Sequence, residues 1–221
     1  MNFPKLLGLR PGVTAVIGSG GKTSLLRRLA EELPGTVLLC TTTHIRPFEE
    51  YPLLTAPTPE DIRKALTTRR VLCLGTPCEN GKLTAPSLSI ETLTTLAGYV
   101  LVEADGSKRL PAKAHAAWEP VLPPERNRTV CVFGASALGQ PIQDAAHRPE
   151  LFASLAEVFP EAVITPAIAA RVLAKEGNFD ILFINQADVL EDPTAALQPF
   201  ADTLPCPAIY GALAEGYWAK L

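Results

Sequence analysis

Val13-Thr14-Ala15-Val16-Ile17-Gly18-Ser19-Gly20-Gly21-Lys22-Thr23-Ser24 reads as a buried strand, a glycine turn and the opening of a helix. The apolar run before Gly18 fits a strand covered on both faces. After the turn, Leu25, Leu26, Leu29, Ala30 and Leu33 recur at helical spacing. A turn of this kind cradles phosphate. Gly18, Gly20 and Gly21 tolerate positive φ and let backbone N–H groups approach an anion, and a helix starting at Lys22 aims its positive end at the same charge. Gly18, Ser19, Gly20, Gly21, Lys22, Thr23 and Ser24 are therefore the expected nucleotide-binding residues. Lys22 would reach the β- and γ-phosphates, and Thr23 would help hold Mg²⁺.

The turn departs from G-x-x-x-x-G-K-[ST], because Val16 stands where the first glycine belongs. The shorter G-S-G-G-K-T is closer to the loops of Mur-type ligases. The plainer alternative is a glycine-rich strand-to-helix turn that happens to be followed by lysine.

Further apolar runs bounded by turn signals fall at 36–40, 71–74, 99–102, 129–133, 180–184 and 208–210, with helical patterns near 62–66, 88–96, 151–159, 168–173 and 195–204. Strands that alternate with helices predict an α/β, P-loop NTPase-like three-layer sandwich with a mostly parallel sheet. The 221 residues suit a single domain, 1–221, with loop inserts at 77–87 and 111–128. A net charge of −3 and a pI near 5.7, with no basic run longer than a pair such as Arg69-Arg70, argue against nucleic acid as a partner. No apolar run approaches a membrane span, and the first residues have no apolar signal core. Five cysteines, three of them inside apolar runs, fit reduced thiols, so the expected location is cytoplasmic.

Ligands of parallel sheets gather beyond the carboxyl ends of the strands. The strand near 99–102 delivers Glu103 and Asp105, two residues apart and placed like the Walker B carboxylate that holds Mg²⁺. Lys22, Glu103 and Asp105 are the expected catalytic residues, and a solvated Asp-Gly turn is the alternative. The second strand ends in Thr41-Thr42-Thr43-His44, where Thr43 is a further candidate for the metal and a simple β-branched strand end is the alternative. Lys108, Arg109, His147 and Arg148 are candidates for an anionic substrate. His44, His115 and His147 lie downstream of strand ends, but their spacings match no ligand motif.

Asn185-Gln186-Ala187-Asp188 varies the N-K-x-D guanine signature, and Asp188 could accept from two guanine N–H donors that adenine lacks. Gly211-Ala212-Leu213 follows the next strand, where GTPases set a backbone N–H against the guanine carbonyl. Without that loop, Asn185 and Asp188 would read as a helix cap.

Taken in order, G-S-G-G-K-T, T-T-T-H, V-L-V-E-A-D-G-S-K-R-L-P-A-K-A, G-A-S-A-L-G-Q-P, H-R-P-E and N-Q-A-D resemble the YqeC family, accessory proteins of selenium-dependent molybdenum hydroxylases. The resemblance covers nearly the whole chain and is most specific over 103–114. It implies a cytoplasmic protein of selenium cofactor biosynthesis, with a selenium- or molybdopterin-containing substrate and a selenium-dependent molybdenum hydroxylase as partner. The residues themselves imply a nucleotide, GTP or ATP, with Mg²⁺. Three activities stay open: a Mg²⁺-dependent NTP hydrolase, a Mur-ligase-like ATP-dependent ligase or transferase, and a nucleotide-gated delivery protein that does not catalyse.

Overall fold

The chain, described over residues 2–221 in a computed structural model, is a mixed α/β protein with a large, mostly parallel central sheet. Its contacts divide it into two compact units. The first holds the chain up to Val16, Thr23–Gly106 and Val121–Thr129; the second holds Ile17–Lys22, Ser107–Pro120 and Val130–Leu221. The glycine turn thus belongs to the second unit, and the helix that continues from it belongs to the first.

The first unit runs α1 (Phe3–Leu6), β1 (Gly12–Gly18), α2 (Lys22–Glu32), β2 (Val37–Thr41), β3 (Leu53–Leu54), α3 (Pro59–Leu66), β4 (Val71–Leu74), β5 (Thr76–Cys78), β6 (Lys82–Thr84), α4 (Ile90–Thr94) and β7 (Tyr99–Glu103). Its parallel strands lie in the order β1-β7-β2-β4-β3. Alternation puts Val13, Leu38, Cys40, Leu72, Leu74, Val100 and Val102 in one cluster with Ile62 of α3 and Leu93 of α4. Thr58 and Asp61 close a capping box at the start of α3, and Pro59 takes its first turn. β5 and β6 form an antiparallel hairpin inside the stretch expected to be an insert. The register aligns Val16 and Thr41 with Glu103, which sets that carboxylate at the carboxyl edge between β1 and β2.

The second unit adds β8 (Ala112–Lys113), the end of β9 (Arg126–Gly134), α5 (Ile142–Ala145), β10 (Ala146–His147), α6 (Pro149–Ala156), α7 (Pro166–Glu176), β11 (Ile181–Asn185), α8 (Pro193–Thr203), β12 (Ala208–Ala212) and β13 (Tyr217–Lys220). β9, β11 and β12 are parallel, and β13 closes the edge antiparallel to β12. Phe133 of β9 meets Phe200 of α8 with ring centroids 5.5 Å apart. α6 stops at Glu157, which turns left-handed, so Phe159 lies beyond the helix and is exposed. All five cysteines are thiols, and burial pushes Cys40 and Cys73 up, away from the reactive thiolate. No helix among the described residues is long and apolar enough to cross a membrane.

Candidate functional site

The glycine turn has the backbone its sequence predicts. Gly18, Gly20 and Gly21 have φ of +90°, +87° and +129°. A Cβ on Gly20 would run into Gly134 and the Pro111 carbonyl, and one on Gly21 into the Asn185 amide. Only glycine fits these two places, for conformation and for space together. Around the turn, Ser19 N–H donates to Val132 O (2.8 Å) and the Ser19 hydroxyl to Leu110 O. Gly134 N–H donates to Pro111 O (2.9 Å), so β9 and the segment after Ser107 fix the turn from two sides. Lys22 is 4% exposed, and its ammonium donates to Gly18 O (2.7 Å) and the Ser107 hydroxyl (3.1 Å). The cation is thereby folded back over its own loop.

In the first unit, Thr23 Oγ1 donates to Glu103 Oε2 at 3.2 Å. Glu103 and Asp105 are both buried, at 7% and 0% exposure. The Glu103 carbonyl accepts from the Thr41 hydroxyl (2.7 Å) and Thr42 N–H (3.2 Å). Thr41 also accepts from Thr43 N–H (3.0 Å), with its oxygen 3.4 Å from the Thr43 hydroxyl, and Thr42 donates to Val121 O. The threonine run therefore divides its labour: Thr41 and Thr42 hold the strand-end backbone, and Thr43 stays half-buried beside them. Hydroxyl and carboxylate oxygens are the donors that Mg²⁺ prefers, so Thr23 and Glu103 fit that ion.

Asn185 does not cap a helix. Its Nδ2 donates to Gly20 O (2.8 Å), and its Oδ1 accepts from Leu213 N–H (3.1 Å), so one buried amide joins the glycine turn to the loop after β12. Gln186 takes left-handed φ and accepts from Ser136, which turns the chain into a short 3₁₀ turn over Ala187–Val189. Asp188 rides on that turn, exposed. Burial first, then the Asp188 carboxylate, raises the Tyr217 phenol, which places charge and ring near each other. Gly211 and Ala212 lie inside β12, paired with Trp218 and Tyr217, and the close approach of Tyr217 O and Trp218 leaves no room for a side chain at Gly211.

Arg148 and His147 come together with two residues that sequence reasoning passed over, Lys113 and Glu119, and with Trp118. β8 and β10 pair in parallel, aligning His147 with Lys113. Glu119 Oε2 lies 2.9 Å from the Lys113 ammonium and 3.2 Å from Arg148 Nη2. Arg148 Nη1 is 3.3 Å from both ring nitrogens of His147, and its guanidinium stacks 5.8 Å from the Trp118 centroid. Burial first, then Arg148 and Lys113, lowers the His147 pKa; Lys108 contributes in the same direction. The left-handed backbone at Lys108, Arg109 and Arg148, unusual for such residues, was the one local signal of this cluster, and sequence does not show it. Arg109 is exposed next to it in the chain. His115 instead pairs with Glu176, through Nδ1 at 3.0 Å and its own N–H, and His44 lies exposed in the first unit. Among the described residues no three His, Cys, Asp or Glu side chains group to hold a metal.

These features define a class: an α/β protein with a glycine-lysine-threonine turn between its first long strand and the following helix, and buried carboxylates at the end of the adjacent strand. Residues 14–150 match the family described as YqeC protein. The chain is 31% identical to the protein named "Uncharacterized protein YqeC" of Escherichia coli (strain K12), with 86% of this chain and 83% of that protein covered. The chain belongs to the YqeC family. No solved structure matches it. The family match takes in the turn, Glu103 to Arg109 and His147-Arg148, and it ends before Asn185.

Proposed function

We propose that this protein is a P-loop nucleotide-binding protein of the cytoplasm, using GTP with Mg²⁺, and that it serves selenium cofactor biosynthesis for selenium-dependent molybdenum hydroxylases. The pathway rests on what YqeC membership implies. The nucleotide reading rests on one observation: a turn with no room for Cβ at Gly20 or Gly21, crossed by a buried lysine that donates to its own Gly18 carbonyl. A phosphate oxygen replaces that carbonyl as a better partner, because a charge-assisted bond to an anion is roughly twice as strong as one to a neutral acceptor. Gly20 to Thr23 would present backbone N–H groups to the same anion. Thr23 and Glu103 would hold Mg²⁺, with Asp105 and Thr43 beside them, and the ion would neutralise charge on the phosphoryl oxygens. Lys22 stabilises charge that develops during transfer. Asp188 accepts from guanine.

Lys22→Ala tests the reading. Nucleotide at about 100 times its Kd should stabilise the wild type by about 2.7 kcal/mol, and the variant should lose that shift while keeping its fold. An undiminished shift in Lys22→Ala refutes the phosphate site.

A second reading, an ATP-dependent ligase or transferase, is favoured by the short G-S-G-G-K-T turn and by the cations Lys108, Arg109 and Arg148 with His147, which would bind the second substrate. A product that forms only when a selenium or molybdopterin compound is present, at one nucleotide per turnover, distinguishes it from plain hydrolysis.

A further inference from the structure

Arg148 keeps donors that the described residues do not engage. Glu119 faces two cations, Lys113 and Arg148. Lys113 is shut away, with its side chain 1% exposed, whereas Arg148 reaches the surface at 23%. Arg148 has five N–H donors, and the described residues engage one nitrogen with Glu119 and one with His147. Its Nε–H and a further N–H on each terminal nitrogen face no protein acceptor among those residues. His147 holds its proton weakly in this company, so it adds a neutral donor or acceptor rather than another charge. Trp118 is 74% exposed, which is rare for so large an apolar ring. One face of that ring carries the guanidinium.

The frame is rigid and continuous with the phosphate turn. Ser107 accepts from Lys22, Leu110 from Ser19, and Pro111 from Gly134; Lys113 then pairs with the His147 strand, and His115 is pinned to Glu176. The seven residues from Ser107 to Lys113 thus lead from the lysine of the turn to the cationic cluster. A rigid scaffold with a spare guanidinium fork and an exposed indole is suited to a flat molecule that carries an anionic group.

We propose that Arg148, His147 and Trp118, backed by the Lys113–Glu119 pair, form a binding subsite for a small organic anion, a planar conjugated group on the indole with its carboxylate or phosphate on the guanidinium. The proposal deepens the ligase-or-transferase reading, on which it rests for the identity of the ligand as second substrate, but the binding itself needs no nucleotide. Lys108, close enough to act on His147, adds charge at the rim.

Phenyl phosphate, benzoate and inorganic phosphate are the probes. In Trp218→Phe protein Trp118 is the only indole, and its fluorescence reports occupancy. Phenyl phosphate or benzoate should quench it saturably, at lower concentration than inorganic phosphate, and whichever of the two binds tighter identifies the anionic group. Arg148→Gln leaves Glu119 paired with Lys113 and should weaken binding by about tenfold or more. By calorimetry, Trp118→Leu, an exposed change that does not touch the core, should erase the advantage of phenyl phosphate over inorganic phosphate. Lys22→Ala should leave all of this binding intact, even where nucleotide binding is lost, so failure of the nucleotide reading and failure of the subsite are separable. Absence of saturable quenching in folded protein overturns the proposal. So does unchanged affinity in Arg148→Gln, or loss of the quench in Lys22→Ala, which would put the anion in the phosphate turn.

Discussion

Asn185→Ala should destabilise the protein in the absence of any nucleotide. The side chain is 6% exposed and makes two hydrogen bonds, to Gly20 O at 2.8 Å and from Leu213 N–H at 3.1 Å. Each such bond contributes about 1 kcal/mol net, and a buried group left without its partner costs about 1–3 kcal/mol. Alanine strands a carbonyl and an amide on different loops, so a loss of about 2–4 kcal/mol follows, at the lower end if water reaches either group. Urea unfolding of the nucleotide-free protein measures it, with far-ultraviolet circular dichroism as the signal. Asn185→Asp gives the sharper comparison. It keeps an acceptor for Leu213 but cannot donate to Gly20 while ionised, so it should be weak at neutral pH and recover as acid protonates the new carboxyl. A loss below about 0.5 kcal/mol for Asn185→Ala, the range of ordinary surface changes, refutes the role of Asn185 as a strut of the phosphate turn.

Glu103→Gln keeps an acceptor for Thr23, so stability should move by less than about 1 kcal/mol, while nucleotide turnover at limiting Mg²⁺ falls sharply; wild-type turnover there would reduce the carboxylate to a structural role. Because the folded protein lowers the His147 pKa, the unfolded chain binds its proton more readily. That contribution to stability is present above the unfolded pKa near 6.5 and is lost as pH falls from there toward the folded pKa. Unfolding midpoints of His147→Gln should therefore depend on pH less steeply than those of wild type below about pH 6.5, and parallel curves would count against it. Asp188→Asn should cost on the order of 2–3 kcal/mol in GTP affinity and leave ATP affinity nearly unchanged. Calorimetry of the wild type with both nucleotides is the first check, since equal affinity would remove Asp188 from base recognition.

Most of the sheet was readable because its strands are covered on both faces and so appear as unbroken apolar runs: 71–74 and 99–102 match β4 and β7 to within one residue. β13 was missed because an edge strand after a tight turn has no such run; Tyr217–Lys220 alternates weakly and ends in charge. α1 and α5 are four residues each, too short to show a helical period. The turn at Gly18 to Lys22 was legible for a different reason, since its glycines are demanded by φ and by contact at once. The helical pattern near 151–159 found α6 but not its ends, since Pro149 and Glu150 occupy its first turn and Glu157 ends it.

The side-chain pairs that build the rest are distant in sequence and carry no local mark. Lys113 and Glu119 meet because a short irregular segment folds back, and Arg148 joins them only through the pairing of β8 with β10. Asn185 shows how such distance changes a reading. As a motif, Asn185 and Asp188 are one signature for guanine. In the fold they separate: the amide is spent on Gly20, 165 residues away, and on Leu213, while the carboxylate stands exposed on its turn. A residue that bridges two loops inside the protein would act on a bound nucleotide by shaping the turn, and its loss is felt before any ligand is added. A residue that keeps its oxygens at the surface acts on the base directly or not at all. The nucleotide-free unfolding of Asn185→Ala and the base preference of Asp188→Asn therefore probe two independent claims, and either can fail while the other stands.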